Sequence, residues 1–247
     1  PRHIRTEAFG PKNDVETKHP EMWRYWQVLP AKGCIGMFFG SWYTDPIADH
    51  AQSLDKHDRF VRRLERIRQF ERMLAAEGVV LVKLWFHLSY PATKARMKAL
   101  EADPKTAWRV TPHEKENLKH YKTYASASDE ALRKTSLGEA PWVVIDGSDP
   151  AYRSLMAGRH LLEVLERSLD KPIERRKTQR PALSALLQQP LDHLSLLAAQ
   201  DYTRNLSHKQ YEAQLETLQG RLNLLSRDSH MRNKTLVLVF EGMDAAG

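Results

Sequence analysis

A single cysteine, Cys34, occurs in 247 residues. One cysteine excludes an internal disulfide framework and fits a reducing compartment. Inside the apolar run CIGMFF it reads as a packed strand residue rather than a nucleophile. No apolar run approaches the ~20 residues needed to span a bilayer, and the opening PRHIRTEAFG lacks a signal-peptide core. The expectation is a cytoplasmic protein with no membrane association. Acidic residues are the minority charge: 31 Asp and Glu face 38 Lys and Arg, for a net charge of +7. Such a balance favours polyanionic partners. No recognition helix or base-stacking motif stands out, which argues against nucleic acid. The chain begins at Pro1 rather than Met, so a longer parent is expected.

What is present is an alternation of short apolar runs with longer amphipathic stretches, the pattern of a parallel sheet covered by helices. The strand candidates are CIGMFF (34–39), VVLVKLWFHL (79–88), APWVVID (140–146) and TLVLVF (235–240). Phe60, Leu64, Ile67, Phe70 and Leu74 recur at helical spacing, and Gly78 supplies the stop. The stretch from His113 to Ser136 repeats the pattern through Leu118, Tyr121, Tyr124 and Leu132. A third helix begins after Asp149-Pro150. Residues 170–190 hold three prolines and a basic cluster and read as a linker. Beyond them, Ser207 caps a helix with Tyr211, Leu215, Leu218, Leu222 and Leu225 on one face. The expected organisation is an α/β module over 1–170, a linker over 171–190, and the start of a second module over 191–247.

The chain ends in VFEGMDAAG. Two glycines five apart after an apolar strand are the opening of a phosphate-binding loop, in which backbone N–H groups converge on phosphate oxygens at a helix N-terminus. Gly242 and Gly247 permit the backbone path, and Met243, Ala245 and Ala246 complete the cradle. Asp244 is costly inside an anion cradle unless it binds a metal or accepts a proton.

FEGMDAAG resembles the Walker A opening of the second family of polyphosphate kinases, and further segments resemble it in order: residues 7–30, Ser41-Trp42-Tyr43, KLWFHLS (83–89), 96–111 and 135–149. The resemblance implies P-loop kinase-like modules, each a parallel sheet flanked by helices, in tandem with the second truncated at its Walker A loop. The layout is similar to the two-module class, the polyphosphate:AMP phosphotransferases, which make ADP from AMP and inorganic polyphosphate. It further implies Mg²⁺ as cofactor, a homo-oligomer, a catalytic role for Asp244 toward metal or acceptor, and phosphate contacts at Gly242, Met243, Ala245, Ala246 and Gly247. Lys94, Arg96, Lys98, Lys105 and Arg109 are implied contacts of a lid over the polyphosphate channel; a solvated helix face is the alternative.

The first module departs from the family where chemistry is expected. The family's Asp-Arg-Ser-Trp-Tyr reads Phe39-Gly40-Ser41-Trp42-Tyr43 here, and Arg66 and Arg68 stand where the family tends to place Glu and Asn. The resemblance also puts the first module's own glycine loop upstream of Pro1. The implication is a first module that keeps its fold without catalysis, in a protein whose fragment here is inactive alone. Two alternatives stay open: a non-catalytic polyphosphate-binding or dimerising module, and a kinase acting on ADP or GDP. His113 and His120 lack the spacing of a zinc helix, and Ser41 has no nearby base at recognisable spacing.

Overall fold

The computed structural model describes residues 3–136, 138, 140–169, 195–198 and 206–242. The expected linker 171–190 and residues 243–247 lie outside the described residues. The strands are β1 (Ile4–Ala8), β2 (Ile35–Phe39), β3 (Val79–His87), β4 (Trp142–Asp146) and β5 (Thr235–Glu241). All pairs are parallel, in one five-stranded sheet ordered β1-β2-β5-β3-β4.

The place of β5 differs from the sequence expectation, which assigned residues 191–247 to a second unit. Here β5 is the central strand of the sheet that residues 3–169 build, pairing Ile35–Phe39 on one side and Val79–Trp85 on the other. Its composition explains the fit. Leu236 and Leu238 enter one core while Val237 and Val239 enter the other, all at most 2% exposed. A strand apolar on both faces is stable only with both faces and both edges covered, and β2 and β3 provide that slot.

β1 is the element the sequence reading missed. It pairs only with β2, and most of Ile4–Ala8 is exposed, so its residues carry no apolar alternation to read.

Helices α3 (Thr44–Ala51), α4 (His57–Ala76) and α7 (Tyr121–Thr135) cover one face. The five apolar residues expected on α4 are all buried, and Gly78 ends the turn after it at φ +81°. The stretch expected as one helical pattern from His113 divides at His120 into α6 (Pro112–Lys119) and α7. Short helices α1 (Asp14–Thr17) and α2 (Trp23–Trp26) precede β2, and α5 (Tyr90–Ala102) follows β3.

Helices α8 (Pro150–Ser168) and α9 (His208–Ser226) cover the other face. Asp149 caps α8, accepting from the N–H groups of Ala151 and Tyr152, and Ser207 caps α9 in a capping box with Gln210. On α9 only Leu225 is buried; Tyr211, Leu215, Leu218 and Leu222 are half-buried.

A buried ion pair, Lys83 with Glu71, sits inside the core under α3, α4 and α7. The Lys83 ammonium on β3 donates to Glu71 Oε2 at 2.7 Å, to the Thr135 carbonyl at 2.7 Å and to the Tyr43 hydroxyl at 3.2 Å. Trp42 Nε1 and the Tyr43 hydroxyl donate to the other Glu71 oxygen. Burial lowers the Lys83 pKa and the Glu71 carboxylate opposes that shift. The aromatic residues of SWY are thereby tied to α4 and β3.

Candidate functional site

In open parallel sheets, ligands bind where the strands end at their carboxyl side. At that edge β5 ends in Glu241 and Gly242, β2 in Phe39 and Gly40, β3 in His87 and β4 in Asp146. Gly242 leaves β5 at φ +154°, and a Cβ there would lie 2.1 Å from the Phe86 carbonyl oxygen. No side chain fits, so the chain can turn off the strand here only with glycine. Gly40, at φ +70°, makes the corresponding turn at the end of β2.

Glu241 is buried between these two turns. Its Oε1 accepts from Ser41 Oγ at 2.6 Å and from Thr44 Oγ1 at 2.9 Å. Burial pushes its pKa up to about 7, against the opposing pull of those hydroxyls. Ser41 therefore does have a neighbouring carboxylate, supplied from 200 positions away, beyond the reach of any local spacing rule.

The place where a Walker B-type acid is implied holds aromatic rings instead. Phe39 stacks on Phe240 with centroids 4.8 Å apart, and Phe240 stacks on Phe86 at 5.9 Å. The Arg153 guanidinium lies over Phe86, 5.9 Å from its centroid. Burial, and then the like charge of Arg96, lowers the Arg153 pKa. Sequence reading passed over Arg153, although its position in the first turn of a helix leaving this edge was a usable signal.

On the neighbouring strand ends, burial pushes the His87 pKa down to about 4, with the Asp146 carboxylate opposing it. The Gly147 N–H donates to the His87 carbonyl at 2.8 Å.

Of the expected phosphate contacts only Gly242 is described; Met243, Asp244, Ala245, Ala246 and Gly247 lie outside the described residues. Among the lid candidates, Lys94 and Lys98 are exposed one turn apart on α5, and Lys105 and Arg109 are exposed beyond its end. Arg96 is half-buried, and after burial its like charge is one cause of the lowered Arg153 pKa. Arg66 lines a polar cleft of about 530 Å³ with Arg59, Arg62 and Arg63, while Arg68 bonds Glu65 at 3.0 Å.

At this edge Asp146, which ends β4, offers Mg²⁺ a carboxylate whose Oδ2 is buried without a hydrogen-bond partner among the described residues. Positions 39 and 40 carry no carboxylate, and the Glu241 oxygen that faces Ser41 and Thr44 is committed to them in a site that favours its protonated form. Hard cations require ionised, accessible oxygens.

The family profile for polyphosphate kinase 2 (PPK2) matches residues 1–172 and 205–247. The chain belongs to the polyphosphate kinase 2 family. It is 38% identical over its whole length to the polyphosphate:AMP phosphotransferase of Pseudomonas aeruginosa, covering 49% of that protein. It is 31% identical over 166 residues to the AMP/ADP-polyphosphate phosphotransferase of Meiothermus ruber, covering 67% of this chain and 62% of that one. The crystal structure of polyphosphate kinase 2 from Arthrobacter aurescens TC1 superposes with a TM-score of 0.64 at 26% identity, over 75% of this chain and 65% of that one. The chain thus spans about half the length of the Pseudomonas relative. Among the described residues no helix is long and apolar enough to cross a membrane.

Proposed function

We propose that the protein to which this chain belongs is a cytoplasmic kinase that moves the terminal phosphoryl group of inorganic polyphosphate to AMP, giving ADP. The carrying observation is the turn at Gly242, where the central strand ends against the Phe86 carbonyl and only glycine is tolerated; the sequence following it is that of a phosphate cradle. In the reaction the terminal P–O–P bond of polyphosphate breaks. A new bond forms between that phosphorus and a phosphate oxygen of AMP, and polyphosphate one unit shorter leaves.

This chain's part is to seat the donor's phosphate oxygens on the backbone after Gly242 and to hold that turn through the hydrogen bonds of Glu241 to Ser41 and Thr44. Exposed Lys94, Lys98, Lys105 and Arg109 neutralise donor charge. Mg²⁺ would serve as a counter-ion of the phosphates, and Asp146 at the end of β4 is a described carboxylate that would help hold it. Asp244 is a further candidate within this chain.

A second reading is favoured by Phe39 and Gly40: the sheet described here acts as a non-catalytic polyphosphate-binding or dimerising unit beside a catalytic one. Phosphoryl transfer by the full-length parent to AMP, ADP and GDP offered in parallel, read as ADP, ATP and GTP formed, tests the acceptor. Asp244→Asn keeps the size and removes the charge, so polyphosphate binding and the melting temperature should survive while kcat falls by roughly 10²-fold or more. Turnover at the parental rate would reduce Asp244 to a turn residue.

A further inference from the structure

Away from the sheet edge, helices α3, α4 and α7 bring together a group of side chains that the proposed kinase reaction does not use. One imidazole nitrogen from each of His50 and His57 and one carboxylate oxygen of Glu130 lie within 4.8 Å of one another. His50 sits in the last turn of α3, His57 is the first residue of α4, and Glu130 is on α7. The His50 ring is held flat against Phe60, with centroids 4.2 Å apart and planes at 7°. Its Nδ1 is buried and has no hydrogen-bond partner, a condition that calls for an explanation in a native fold. His57 Nε2 stands 3.7 Å from Glu130 Oε1.

We propose that His50, His57 and Glu130 form a binding site for a borderline transition-metal cation, Zn²⁺ being the best match. Two imidazoles and a carboxylate are a donor set for Zn²⁺ and a poor one for Mg²⁺ or Ca²⁺, which take oxygen ligands. Bonds of ~2.0–2.2 Å place tetrahedral ligand atoms about 3.3–3.5 Å apart, so the cluster must contract on binding. His57 can make that movement, because its side chain is 59% exposed and it stands at a helix start. His50 is the fixed ligand and Glu130 the bridge, releasing part of its contact with Lys134, now at 3.0 Å. A fourth position is left for water or an external ligand. The ion would bolt α3 to α4 and α7, and α3 is the helix whose Thr44 holds Glu241.

The test is calorimetric titration of the untagged chain with Zn²⁺, with Mg²⁺ in parallel, and thermal melts of the same samples. We expect one saturable Zn²⁺ site and a melting temperature raised by about 5 °C at Zn²⁺ well above its Kd, with no such response to Mg²⁺. Co²⁺ loaded in its place should show visible absorption of low-symmetry coordination. His57→Ala should weaken Zn²⁺ binding about ten-fold or more while leaving the metal-free melt unchanged, since His57 is exposed. Glu130→Gln should weaken it as well. Absence of saturable binding, or binding that neither variant alters, overturns the site.

Discussion

Glu241 places a carboxylate where water is excluded, and its pKa of about 7 against an ordinary 4.5 makes it a source of pH-dependent stability. Between those two values the folded chain keeps a proton that the unfolded chain releases. Stability is therefore greatest below the unfolded pKa and falls as pH rises through about 7, by an amount on the order of 3 kcal/mol for a shift of this size. His87 and His160 act in the opposite sense. Burial pushes both down to about 4, so between there and the ordinary imidazole value the unfolded chain takes up protons that the folded chain refuses, and stability rises with pH. The measurement that isolates Glu241 is the difference between the parent and Glu241→Gln in urea unfolding at pH 5 and pH 8. The variant should lose less stability on going to pH 8, by up to about 3 kcal/mol. Parallel pH curves would mean that Glu241 is ionised in the fold. None of this was legible from VFEGMDAAG, because the hydroxyls of Ser41 and Thr44 reach Glu241 only through β2 and β5 lying side by side in the sheet.

Among the elements, β3 shows how an apolar strand accommodates a charge. Lys83 interrupts the run VVLVKLWFH at a position that is 0% exposed, and Glu71 on α4 answers it. Breaking such a pair leaves an uncompensated buried charge, so Glu71→Gln should cost about 3–5 kcal/mol in urea unfolding. Glu71→Gln combined with Lys83→Met should cost less than the two changes summed, and simple additivity would show that the pair is not coupled. The α5 region makes a different claim. Lys94, Lys98, Lys105 and Arg109 are exposed, so if they neutralise polyphosphate, replacing all four with glutamine should flatten the log Kd against log salt slope by about 3, from ~0.7 released counter-ions per charge on a flexible polyanion. An unchanged slope would move the contact to another surface, such as the arginine-lined cleft around Arg62. The elements themselves were readable where burial imposes a period: α4 with its five buried apolar residues, and β2, β3, β4 and β5 as apolar runs. They were unreadable where burial is slight, as in β1, or where one amphipathic stretch turns a corner, as at His120.

At the scale of the whole molecule, composition identifies β5 as a buried strand and says nothing about which sheet buries it. Its alternating Leu and Val side chains demand two cores, and the slot between β2 and β3 supplies both, with seven β5 residues registered on β3 and five on β2. In a tandem protein carrying two strands of this kind, only one could occupy that slot. The consequence for this chain is that residues 3–169 alone form a sheet split down the middle, with the paired edges of β2 and β3 open and both cores exposed where Leu236, Val237, Leu238 and Val239 had been. Four fully buried aliphatic side chains represent roughly 6–12 kcal/mol of transfer free energy, comparable to the whole stability of an ordinary domain. A chain ending at residue 190 should therefore fail to give a cooperative thermal transition, bind a hydrophobic dye and aggregate, while residues 1–247 melt cooperatively. A cooperative melt of the shortened chain near that of the full one would show that residues 191–247 belong to a separate unit, as the family resemblance implied, and that β5 is dispensable to the sheet in which it lies.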